Sequence, residues 1–287
     1  MKKKKINKTN VILSILLVLS ASVFIYSLLN IRNWKKDNDE TEKEVESIYK
    51  TVSVEEVTEG ENVNAESQKK ESIYWSYIKM NMINVDFTEL LKQNSDTKGW
   101  IQVNGTNINY PFVQSNDNAY YLNHSFTKKK NEAGWVFLDY RNDINNLSRN
   151  NIIYAHSRLD KTMFGSLKNI LSNNWYKNTD SNKISLYISI LDKYFYNHII
   201  KLSTEKENTL WQVFSVYHIK TENYYITTDF RDDDEFKTFI NTISKRSKLK
   251  FDASVDVNDT ILTLSTCRAG DEKVVLHAKL IKKEVRN

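Results

Sequence analysis

A chain of 287 residues and 33.7 kDa has room for one large domain or two small ones with tails. Hydrophobic residues make up 40% and aromatics 12%, against only 6 Gly and 1 Pro, which excludes collagen-like and low-complexity readings of the whole chain. The net charge of +5 is accounted for by Lys2, Lys3, Lys4, Lys5 and Lys8, a local N-terminal excess that argues against a nucleic-acid-binding surface.

Residues 1–10 form that basic tail. From Val11 to Leu29 no charge occurs, and a bilayer crossing needs about 20 apolar residues. We read residues 11–31 as a transmembrane signal anchor. The run is longer than a signal-peptide core, and no A-x-A-like cleavage site follows it. The preceding lysines keep the N-terminus cytoplasmic by the positive-inside rule, which sends the remainder outward. This predicts a single-pass protein of the cell membrane with its folded part outside. Residues 32–72 are charged and polar, with no sustained two-sided period, and read as a partly helical or flexible stalk.

Residues 73–287 read as one folded domain. Ile73, Tyr74, Tyr77 and Ile78, then Val85, Phe87, Leu90 and Leu91, recur at three and four, predicting amphipathic helix. After Gly99 the period shortens. Trp100 to Val103 and Ile108 to Val113 flank the Asn104-Gly105 turn signal and predict a hairpin. Further strands are predicted at 134–139, 151–156, 211–219, 260–267 and 273–281, with helices at 163–171 and 233–243. Many short strands with few helices predict a mainly β fold, an antiparallel barrel with added helices.

Cys267 is the only cysteine, so no internal disulfide can form. An unpaired thiol on an exported chain invites oxidation and tends to have a use. Alternation along 261–267 puts Leu262 and Leu264 on one face and Thr263, Ser265 and Cys267 on the other, so the thiol ends a strand on its more polar face. A thiol becomes a nucleophile when a base or a cation favours the thiolate. His156 closes the strand 151–156 and can meet Cys267 at one rim of a barrel. His277, whose strand follows that of the cysteine, is its main rival; His124, His198 and His218 read as solvated or structural. No metal constellation and no nucleotide loop is visible, so neither metal nor cofactor is expected. The acidic run Asp232 to Glu235 predicts a cap on the following helix, and Lys128 to Lys130 a solvated loop.

Together the segments TLSTC at 263–267, IIYAHS at 152–157, TMFGSL at 162–167, GWIQVNGTNINYPFVQ at 99–114, NAYYLNHSF at 118–126, GWVFLDYRN at 134–142 and VFSVY at 213–217 resemble the class B sortases, over roughly Ile73 to Ile281. The resemblance implies a sortase-type eight-stranded β-barrel with an N-terminal helical extension. It implies a membrane-anchored cysteine transpeptidase of Gram-positive bacteria that cleaves a cell-wall sorting signal, NPxTN- or LPxTG-like, after its threonine. Surface proteins bearing that signal would be its substrates, and an amine of peptidoglycan or its lipid-linked precursor the acceptor. By motif, Cys267 would be the nucleophile and His156 the general acid and base. The family's third residue is an arginine opening the last strand, and this chain has Lys273 there; Arg268, directly after the cysteine, is the alternative. Lysine keeps the charge but loses the planar fork. Ala155 stands where the family has glycine, and the stretch from Lys177 to Tyr194 is longer than the family's connection and predicts an added helix. Two other outcomes stay open: the same site acting mainly as a peptide hydrolase, or a catalytically weak binding or assembly module.

Overall fold

The computed structural model describes residues 8–57, 77–78, 80–176, 196–220, 222–267 and 272–286. Its first element, α1 (Lys8–Thr51), is a 44-residue helix. No glycine or proline interrupts it, and at 1.5 Å per residue it runs about 66 Å. Its first half carries the exposed apolar residues Val11 to Ile31 and is long and apolar enough to cross a membrane. Its second half lies on the rest of the molecule, with Thr41 and Ile48 buried and Val45 packed against the core.

The elements after α1 are β1 (Val54–Val57), β2 (Met82–Val85), α2 (Thr88–Gln93), β3 (Thr97–Val103), β4 (Asn109–Val113), β5 (Phe137–Leu138), β6 (Asn150–His156), α3 (Asn173–Tyr176), β7 (Ile199–Ser203), β8 (Glu207–Ile219), α4 (Asp233–Lys245), β9 (Ile261–Cys267) and β10 (Lys273–Val285). Eight strands close a barrel in the order β10-β8-β7-β3-β4-β5-β6-β9, while β1 and β2 make a separate two-stranded ribbon. The barrel is mixed rather than antiparallel throughout, because β4 pairs with β5 and β6 with β9 in parallel. A parallel pair needs a long crossover, and α4 lies in the one between β6 and β9.

The hairpin at Asn104-Gly105 forms as expected, with Gly105 at φ 70 supplying the left-handed turn residue. Three local expectations change. In the stretch predicted as helical over Ile73 to Leu91, the described Tyr77 and Ile78 are helical, but Met82–Val85 is strand β2 before α2 begins at Thr88. Met82, Ile83 and Val85 are buried there, because β2 pairs with β1 and packs on β7. The helix predicted over 163–171 is a turn followed by a 3-10 segment at Leu167–Leu171, since Met163 sits at φ 51 and breaks any helical start. The strand predicted over 134–139 is only Phe137–Leu138. The predicted added helix at 177–194 lies outside the described residues.

Two apolar layers hold the barrel. Leu262, Leu264, Leu276 and Ala278 pack in one cluster with Ile101, Phe112, Trp135 and Trp211, while Trp100, on the opposite face of β3 from Phe112, packs against Tyr49 of α1. On the outside, α4 lays Phe236, Phe239, Ile240 and Ile243 over Ile261 and Val275. Asp232 caps α4 by accepting the Glu235 N–H at 2.8 Å.

Candidate active site

β9 lies between β6 and β10, and its last residue is Cys267. On the parallel side the ladder runs without a shift from Asn150↔Ile261 to His156↔Cys267. Register partners point to the same side of a sheet, and neighbouring strands lie about 4.8 Å apart, so the backbone presents these two residues side by side at one rim. On the antiparallel side Val275 pairs with Ser265. Two further residues along each strand bring Lys273 level with Cys267. There the Thr266 hydroxyl enters the ladder, accepting the Val274 N–H at 2.9 Å. Lys273 is half-buried and also pairs with Ile219 of β8. The sheet thus lines up His156, Cys267 and Lys273 on three adjacent strand ends; Arg268 lies outside the described residues.

His156 is half-buried, and its surroundings orient it. Its Nε2 lies 2.6 Å from the carbonyl oxygen of Leu122. A carbonyl only accepts, so Nε2 carries the proton and Nδ1 is the basic nitrogen of the neutral ring. Its backbone carbonyl accepts the Phe164 N–H at 3.0 Å, and Ser157 bridges to Met163. The TMFGSL segment therefore folds back beneath the histidine. Two residues earlier on the same strand face, Tyr154 donates to Asp139 at 3.0 Å. Asp139 is fully buried, and Arg141 grips both its oxygens, Nε at 2.8 Å and Nη2 at 2.6 Å. Burial opposes its charge, but Arg141 outweighs that and holds the carboxyl below the usual carboxylate range.

The other histidines do not join the rim. His277, the rival from sequence, is fully buried opposite Thr263, four strand positions from Cys267, or about 13 Å at 3.3 Å per residue. Burial pushes it down to about 3. His198 is buried against Trp175, Tyr176 and Phe251, and burial lowers it to about 4. His124 stacks on Tyr120 with ring centres 4.0 Å apart, and His218 is exposed. The face expected to be polar is in fact covered: Thr263 and Ser265 are buried, Ser265 against the Tyr225 hydroxyl at 3.0 Å. Sequence reading passed over the Leu122 carbonyl, which leaves no side-chain signature, and Gly134, whose position at φ 62 could be sought only within the GWVFLDYRN block.

Relatives place this geometry in a family. No family model matches the chain. Sortase B of Staphylococcus aureus is 34% identical over 200 residues, which is 68% of this chain and 75% of the relative. Sortase B of Listeria monocytogenes is 33% identical over 204 residues, 69% of this chain and 75% of the relative. Among solved structures, sortase B from Bacillus anthracis in complex with AAEK1 superposes with a TM-score of 0.65 at 32% identity, covering 86% of this chain and 99% of that one. A Staphylococcus aureus sortase B–substrate complex gives 0.59 at 34% identity, over 68% and 84% of the two chains. The chain therefore belongs to the sortase B family of cysteine transpeptidases.

Proposed function

We propose that this chain, anchored through residues 11–31 with its barrel outside the cell, cleaves a sorting signal after its threonine and transfers the acyl group to a peptidoglycan-type amine. The register His156↔Cys267 carries the reading, because it sets a base level with a thiol on adjacent strand ends. Two relatives support the substrate side: one Staphylococcus aureus sortase B structure holds a substrate, and another sortase B is complexed with triglycine.

In this mechanism the Cys267 thiolate attacks the threonine carbonyl carbon, and the carbonyl electrons move onto oxygen. Lys273 is the cation we assign to that oxyanion, with Arg268 as the alternative. Collapse breaks the C–N bond, and the leaving amine takes its proton from the His156 imidazolium. The thioester is then attacked by the incoming amine, which gives a proton back to His156 as the thiolate departs. Water in place of the amine would yield hydrolysis from the same thioester.

Product masses formed from an NPxTN-type peptide with and without triglycine test the reaction. An amide adduct with triglycine is expected, and its absence beside free acid would sink transfer. Cys267→Ala and His156→Ala are expected to abolish both products. Removing an oxyanion donor costs about 10²–10³ in rate, so Lys273→Ala should lose that much in kcat/KM while Arg268→Ala loses little. The reverse order would move the role to Arg268, and small, equal losses would remove it from both.

A further inference from the structure

Between the turn at Tyr120–Leu122 and β5, residues 123–134 fold as a tongue. His124 bridges to Lys130, the Ser125 N–H donates to the Lys129 carbonyl at 2.8 Å, and the Asn131 N–H to the Asn123 carbonyl at 2.9 Å. The outer edge of this tongue is gripped by α1. The Glu44 carboxylate accepts the Thr127 N–H at 2.7 Å and the Ser125 hydroxyl at 3.1 Å. The buried Asn131 side chain donates to the Asp37 carbonyl and to Thr41 Oγ1, each at 3.2 Å.

The inner end of the tongue meets His156. Leu122, whose carbonyl accepts the hydrogen bond from His156 Nε2–H, precedes the tongue directly. The Trp135 N–H donates to the Tyr121 carbonyl at 2.9 Å, and the Gly134 N–H to the Asn131 carbonyl at 3.0 Å. A Cβ on Gly134 would lie 2.8 Å from the Leu122 oxygen and 3.0 Å from His156 Cδ2, so tongue and imidazole are packed to contact. From Thr41 the path to the ring is Asn131, then Asn123 and Gly134, then Leu122. Each step is a hydrogen bond or one or two residues of chain.

We propose that the docked half of α1, acting through this tongue, sets the place and tautomer of His156, so that Glu44, Thr41 and Asn131 are positioning residues for the transfer reaction. The idea rests on reading His156 as the acid and base, but that reading does not itself require α1. A surface loop is by default the mobile part of a fold, and a misplacement of about 1 Å at a reacting group can cost about 10²-fold. A tongue clamped along its outer edge by a rigid helix avoids that loss.

The experiment compares Glu44→Ala with Glu44→Gln in the detergent-solubilised full chain. Gln keeps an oxygen that can accept both tongue donors. Turnover is read with the NPxTN-type peptide and triglycine, and the imidazole ¹⁵N shifts of His156 report its tautomer without turnover. Glu44→Ala should lower kcat about 5–10-fold with KM unchanged and mix the two tautomers, while Glu44→Gln stays within about twofold of the parent and keeps Nε2 protonated. Parental kcat and tautomer in Glu44→Ala would overturn the inference, as would equal losses in both variants accompanied by equal losses in Tm. His156→Ala separates the two claims. If it turns over, the acid–base reading falls on its own, and the ¹⁵N shifts still decide whether α1 positions the ring.

Discussion

At His277 a single donor assignment fixes a whole buried chain. Asn150 Oδ1 can only accept, so Thr263 spends its proton there at 2.6 Å. Thr263 Oγ1 must then receive from His277 Nδ1 at 2.8 Å, which leaves Nε2 to accept from the Tyr217 hydroxyl at 2.8 Å. Tyr224 donates in turn to Tyr217 at 2.9 Å. The ring is neutral and its tautomer is set, which suits a structural role and not a catalytic one. In the unfolded chain a histidine protonates below about pH 6.5. Burial holds native His277 neutral to about pH 3 and native His198 to about pH 4. Below pH 6.5 the unfolded state therefore binds more protons than the native state, and stability falls as pH falls, by at most about 1.4 kcal/mol per pH unit for each ring. Urea midpoints between pH 7.5 and 4.5 should decline, and His277→Gln should flatten that decline whatever its effect at pH 7.5. An unchanged slope in the variant would remove His277 from the acid response. Thr263→Val strands the Nδ1 proton and one Asn150 oxygen, and should cost about 1–3 kcal/mol by chemical denaturation.

Strands β6 and β9 were legible one at a time and not as a pair. Alternation in Ile261–Cys267 marks Leu262 and Leu264 as core, and the barrel buries both. The pairing of His156 with Cys267 is nonlocal, so no spacing within either segment encodes it; strand-end placement allowed the two to meet at a rim, and the resemblance to class B sortases singled out His156 over His277. That same alternation gives Thr263 and Ser265 a face shared with Cys267, and its polarity misled, because the structure buries both. The period of α4 is visible from Phe236 to Ile243, whereas the surface that α4 covers is not. Residues 73–91 misled for another reason. Ile83 and Val85 alternate while Phe87, Leu90 and Leu91 keep helical spacing, and the partner that decides for a strand is β1, inside a charged stretch reading Val54-Glu55-Glu56-Val57. On β3, Gly99 is a close-approach site: an added Cβ would lie 2.6 Å from both the Phe112 ring and the Ser203 carbonyl. Backbone on one side prevents relief, so Gly99→Ala should cost about 1–3 kcal/mol as overpacking. A thermal scan showing no loss would mean that β3 and β7 can separate to admit a methyl group.

Across the whole molecule α1 joins a membrane-type segment to the barrel without a break. Its docking face runs through Asp37, Thr41, Glu44, Val45 and Ile48, spaced three and four apart except for the adjacent Glu44 and Val45. Because its first turns are polar, no apolar stripe announces it in sequence, and the region reads as a spacer. From Ile31, at the end of the apolar stretch, to Asp37, the first residue bonded to the tongue, the helix rises only about 9 Å. Two truncations separate tether from scaffold. A chain starting at residue 36 loses only exposed residues of α1 and keeps the whole docking face. A chain starting at residue 52 uncovers the pocket of Ile48, a side chain 1% exposed, and leaves Asn131 and Thr127 without Thr41 and Glu44. Losing one buried aliphatic of this kind costs about 2–5 kcal/mol, and 1 kcal/mol moves Tm by about 2–4 °C in a domain of this size. The first truncation should melt within a few degrees of the full chain, and the second at least about 5–10 °C lower. Equal melting temperatures would make the docked half of α1 a passive tether, and would place the stability of the barrel entirely within residues 52–287.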